Sequence, residues 1–116
     1  MKNFNKISIT EEAHIELHDI LNLTGAEISV NTLPAGTNIP FIHSHKQNEE
    51  IYAVLDGAGM VKIDGDNIEI KKGDWLRISP NAKRQFFASP DKALKYICIQ
   101  VKANSLEGYT ILDAIV

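Results

Sequence analysis

Cysteine is scarce in this sequence, long apolar runs are missing and neither charge sign dominates, and each shortage narrows what the chain can be. Cys98 is the single cysteine among 116 residues. An intramolecular disulfide is therefore excluded, and with it a thiol-rich zinc site or a CxxC redox pair, so any metal must be held by nitrogen and oxygen ligands. Uninterrupted apolar runs last only a few residues, far short of the roughly 20 that span a bilayer, and the first ten residues lack the apolar core of an export signal. The expectation is a cytoplasmic protein with no membrane partner. The formal net charge is −3 and the lysines and arginines are scattered. No surface is built to neutralise phosphates, and nucleic acid is not an expected partner.

What is present reads as one domain over residues 1–116, long enough to bury a core and too short for a catalytic unit plus a regulatory one. Short runs of β-branched and aliphatic residues alternate with Gly, Pro, Asn and Asp, the texture of an antiparallel all-β domain. Residues 26–33 form a strand, with Ile28, Val30 and Thr32 on one face and Glu27, Ser29 and Asn31 on the other. A second strand is expected over 39–45, where Pro40 suits a strand start or an edge. Segments 50–55 and 60–63 read as two strands separated by a tight reversal at Asp56-Gly57-Ala58-Gly59. Asp64-Gly65 joins 60–63 to 68–71 as a hairpin, and 75–79, 84–88 and 94–101 supply three more strands. Residues 11–21 fit either a half-exposed strand or a short helix. Eight or nine strands without a long helix are best relieved of exposed edges by closing into a barrel or jelly roll. The tail, 105–116, keeps Leu106, Tyr109, Ile111, Leu112, Ile115 and Val116, which must pack across the barrel or against a second copy.

The chemistry concentrates around two histidines. His43 and His45 lie two apart in an expected strand, so both imidazoles point to one side of the sheet. After a polar turn, Glu50 opens the next antiparallel strand and sets a carboxylate across from the pair. Two imidazoles and one carboxylate with open positions suit iron, zinc, manganese or nickel. An HxH pair by itself is more often solvated than ligated; its spacing to Glu50 and to the flanking glycines gives it weight.

In these residues the sequence resembles the cupin superfamily, whose first motif is G(x)5HxH(x)3–4E(x)6G. His43-Ser44-His45, four intervening residues, Glu50, six intervening residues and Gly57 fit it, with Gly36 one residue too far upstream. The second motif, G(x)5PxG(x)2H(x)3N, is met in degenerate form by Gly73, Pro80, Ala82 and Gln85, with one extra residue before the proline. The resemblance covers residues 30–101. It implies a double-stranded β-helix (jelly-roll) barrel with a conserved core at about 26–102, commonly paired as a homodimer. It also puts Gln85 where the family has its third histidine. Gln85 then either completes a site with His43, His45 and Glu50 through its carbonyl oxygen, a weaker ligand than imidazole, or hydrogen-bonds a water or substrate.

Around this centre, Tyr52 shares parity with Glu50 and is a candidate to steer a substrate or donate a proton. Arg84, expected at the pocket mouth, would favour a carboxylate, phosphate or enolate. Phe41 and Phe87 are expected as apolar walls, Trp75 in core or interface packing, Cys98 as a buried inert thiol, and His14 and His18 at the surface. Two functions follow. One is a metal-dependent enzyme of dioxygenase, isomerase or lyase type, in which a divalent ion acts as Lewis acid on a small oxygen-rich or carboxylate substrate. The other is a non-catalytic barrel that binds or senses a small molecule, with or without metal.

Overall fold

The computed structural model describes residues 3–116. Seven strands follow one another: β1 (His14–Glu16), β2 (Glu27–Leu33), β3 (Asn48–Ile63), β4 (Asp66–Lys71), β5 (Trp75–Ile78), β6 (Arg84–Ala88) and β7 (Leu94–Lys102). A single helical turn, α1 (His18–Leu21), and a short 3-10 turn at Thr110–Leu112 complete the elements. The two readings of 11–21 are thus both partly right, strand first and helical turn second. All pairing is antiparallel, in the order β1-β2-β7-β3 and then β4, with β5 and β6 also on β3. The protein is an all-β jelly roll, as its sequence texture implies.

The organising element is β3. Its first half pairs β7 on one edge and β5 on the other, and its second half pairs β4 and β6. One strand therefore runs through both walls. The reversal expected at 56–59 does not occur. Instead a bulge between Val54 and Asp56 bends the strand, and Gly57, at φ +79°, carries it across. The extra residue also switches which parity packs into the core: Tyr52 and Val54 before it, Val61 after it. Two glycines are required here by close approach, because a Cβ on Gly57 would lie 1.7 Å from the Ala93 carbonyl oxygen and one on Gly59 2.2 Å from that of Phe87.

The strand expected over 39–45 is likewise absent. Its backbone is stitched to β6 only at isolated bridges, Asn38 with Phe87 and His43 with Arg84. Pro40 lacks the donor that a continuous ladder would need. The Asp64-Gly65 hairpin forms as read, both residues having positive φ, 48° and 89°, as a type I′ turn demands. Between the walls, Tyr52, Val54, Val61, Ile70, Ile78, Phe86, Leu94, Tyr96 and Cys98 make one apolar core, and the rings of Phe86 and Tyr96 stack with centroids 5.1 Å apart.

Candidate metal centre

Two segments converge at one end of this core. Glu50 enters from β3, almost wholly buried, flanked by its cross-strand partners Ile78 and Gln100. His43 and His45 come from the stitched segment, and their rings meet edge to face at 5.2 Å. The two histidines and Glu50 each offer a ligand atom, and all three atoms lie within 4.8 Å of one another. His45 Nε2 is 3.2 Å and His43 Nε2 3.8 Å from the Glu50 carboxylate. Neither contact is a hydrogen bond: His45 Nε2, like His43 Nδ1, is buried with no hydrogen-bond partner. Burial first, then the nearby charges of Arg84 and His45, hold His43 below its ordinary pKa against the pull of Glu50. The ring is therefore biased to the neutral form that can donate a lone pair.

Glu50 is held from behind. Tyr52 donates its hydroxyl to Oε1 at 2.5 Å, and Cys98 donates its thiol to Oε2 at 3.3 Å. Burial, with the Glu50 charge in support, raises the Tyr52 phenol and pushes the Cys98 thiol up to about 12, so both stay protonated and both remain donors. Tyr52 shares the centre as expected, but its proton is committed to Glu50. Cys98 is buried as expected, and its contact with Glu50 depends on the β3–β7 register, which sequence reading did not supply.

Arg84 is not at the pocket mouth. It has no exposed surface; its Nη1 lies 3.1 Å from Glu50 Oε1 and its Nη2 donates to the Ser79 carbonyl at 3.0 Å. His43 and Arg84 exchange backbone hydrogen bonds in both directions, at 3.2 and 3.0 Å, so their side chains lie on the same side. Gln85, one residue on, takes the other parity; it borders the cavity, and its amide nitrogen donates to the Ile39 carbonyl at 2.8 Å. The inward position after the 80–82 turn thus belongs to Arg84, not Gln85. The same shift puts Phe86 rather than Phe87 on the cavity wall.

A cavity of about 350 Å³ opens over the centre. Phe41 and Phe86 form apolar walls, and opposite them the rows Glu16-Ser29-Cys98-Tyr52 and His14-Asn31-Tyr96 cross the sheet in register. His14 is at the surface as expected, 57% exposed, but it is not without partners: it is bonded to Asn31 at 2.6 Å and to Glu16 at 3.2 Å, on the cavity rim. A larger groove of about 700 Å³, over Met60, Glu69, Lys71 and Pro90, contains none of these ligating groups.

Residues 29–100 match the family model of the cupin domain. The chain belongs to the cupin family. A crystal structure of a cupin protein, BF4112, from Bacteroides fragilis is 59% identical to this cupin and superposes with a TM-score of 0.97, over 100% of this chain and 98% of that one. The uncharacterized protein MJ1618 of Methanocaldococcus jannaschii is 32% identical over 81 residues, 70% of this cupin; the match spans 64% of that protein's length, just under two thirds. A predicted oxalate decarboxylase from Thermotoga maritima, 23% identical with a TM-score of 0.61 over 65% of this chain and 64% of that one, shares the fold.

Proposed function

We propose that this cupin binds a divalent metal ion through His43, His45 and Glu50 and acts on a small oxygen-rich or carboxylate substrate held in the cavity above them. The observation that carries the reading is the convergence of three ligand atoms within 4.8 Å, with His45 Nε2 buried and unpartnered among them. A buried imidazole nitrogen without a partner is costly unless something else fills the gap. The donor set, two nitrogens and a carboxylate oxygen, suits iron, manganese, zinc or nickel. When bound, the ion would supply Lewis acidity to a substrate oxygen. The chain's own contribution is to set Glu50 beside Arg84, to orient its carboxylate through Tyr52, and to present Asn31, Ser29 and Gln100 as polar contacts for the substrate. Phe41 and Phe86 narrow the site and limit water. A metal-free binding barrel is the second reading, and the Glu50–Arg84 pair favours it because the carboxylate already has a counter-charge.

Metal content decides between them. Titration of the protein with Mn²⁺ and Zn²⁺ by calorimetry should show one site per chain, and His45→Ala should weaken it at least about a hundredfold. Equal affinity in the two proteins, or no binding by the unmodified chain, removes the metal-dependent reading and leaves the binding barrel. As for partners, we propose a homodimer, on the apolar outer sheet face taken up below.

A further inference from the structure

We propose that Arg84 is a positioning residue that serves as a built-in cation, so that the centre takes its ion weakly and exchangeably and the barrel holds together without it. The inference rests on the metal-binding reading above and adds to it which residue sets the affinity. Glu50 Oε1 accepts the Tyr52 hydroxyl at 2.5 Å and is ion-paired with Arg84 Nη1 at 3.1 Å, which leaves Oε2 as the less engaged oxygen, contacted by the weak thiol donor of Cys98 and by His45. A guanidinium is always charged, and this one is fully buried. Its Nε and Nη1 have no hydrogen-bond partner, so the Glu50 carboxylate is the principal compensation for its charge.

Two consequences follow. An incoming dication must share a carboxylate that is already half neutralised and must sit close to a fixed positive charge, which lowers its affinity. Because His43 and Arg84 are paired side by side, the inward place next to the two imidazoles is occupied by a group that cannot ligate. Without a third nitrogen donor the centre is biased toward harder ions such as manganese and iron(II) over zinc.

The test compares the full chain with Arg84→His and Arg84→Lys, reading Mn²⁺ and Zn²⁺ affinity by calorimetry and thermal midpoint with and without chelator. Arg84→His removes the fixed charge and adds an imidazole. It should bind Zn²⁺ at least about a hundredfold tighter than the unmodified chain, and its midpoint should come to depend on metal. Arg84→Lys keeps the charge and should stay within about threefold of the unmodified chain, whose own midpoint should barely move on chelation. A folded Arg84→His that gains nothing, or an Arg84→Lys that gains as much as Arg84→His, overturns the proposal. So does a large fall in the unmodified chain's midpoint on chelation, a measurement that needs no variant to fold. Failure of every protein, Arg84→His included, to bind either metal at millimolar concentration instead strikes the metal-binding reading itself.

Discussion

The hydroxyl of Tyr52 and the imidazole of His14 show how single side chains set the character of the cavity. Tyr52 is buried and gives its one proton to the Glu50 carboxylate. Tyr52→Phe leaves the ring in place and takes away a hydrogen bond to a charge, which should lower stability by about 2 kcal/mol, measured by urea denaturation. A change under about 0.5 kcal/mol would show that the bond contributes nothing. His14 is a pH-dependent case. Its hydrogen bond to Asn31, followed by the Glu16 contact and the Glu16 and Glu27 charges, raises its pKa above 6.5 against the opposing effect of burial. A raised value in the folded state means that stability from His14 is fully present below pH ~6.5 and fades as pH rises through the folded value. The stability gap between the protein and His14→Gln should therefore be widest near pH ~5.5 and close toward pH ~8.5; being half exposed, the residue should contribute well under the range of a buried pair. Thermal midpoints across that range check it, and a gap that widens with pH would reverse the assignment. His43, His45 and Glu50 could be read from the sequence because their spacing survives any backbone that brings 43–45 alongside the start of β3. Arg84 could not, since its parity depends on the 80–82 turn, where Asn81 at φ +72° sets which residue enters β6 facing inward. The donors behind Glu50 were hidden for a related reason: Cys98 meets it only through pairing across a gap of 48 residues.

At the scale of elements, β3 is where sequence and structure part. Gly57 and Gly59 read as a reversal because glycine signals any departure from ordinary backbone, and the same residues serve a bent strand that must pass close under its neighbours. The distinction is testable with two glycines of positive φ. Gly65, at φ +89°, has open space where a Cβ would lie, so Gly65→Ala should cost only about 1 kcal/mol of backbone strain. Gly57 has a similar φ, +79°, but its Cβ would overlap the Ala93 carbonyl. Gly57→Ala should cost roughly 4 kcal/mol or more, or prevent folding, because strain and a clash with the Ala93 backbone just ahead of β7 add. Equal urea midpoints for the two variants would mean that β3 does not pass under β7 as described. The hairpin at Asp64-Gly65 was legible because its chemistry is local. The failed strand at 39–45 was not, since apolar residues flanking a proline look extended whether or not a ladder forms.

Over the whole molecule, the polar and apolar faces of the β1-β2-β7-β3-β5 wall are distributed in an unexpected way. Ser29 and Asn31 of β2 look into the cavity, while Ile28 and Val30 look outward. The outward rows continue in register as Ile15-Val30-Ile97-Ala53-Trp75 and Ile28-Ile99-Ile51, an apolar band across five strands in which Val30 and Ala53 are buried, the isoleucines are half-buried and Trp75, at its end, is 71% exposed. The tail does not pack across the barrel: Leu106, Tyr109, Ile111 and Leu112 are all at least 70% exposed. The radius of gyration, 15.6 Å, exceeds the roughly 13 Å of a compact chain this size, as extended ends require. An outer band of this kind beside an unpacked apolar tail suits a self-complementary contact around a two-fold axis. Trp75→Glu places a charge in that contact while touching nothing in the core, so a single chain should tolerate it to within about 0.5 kcal/mol. Light scattering during size exclusion should give twice the chain mass for the unmodified protein and the monomer mass for Trp75→Glu, with the fold retained by circular dichroism. A dimer that survives the substitution moves the contact elsewhere, and an unmodified protein that runs as a monomer at every concentration removes it.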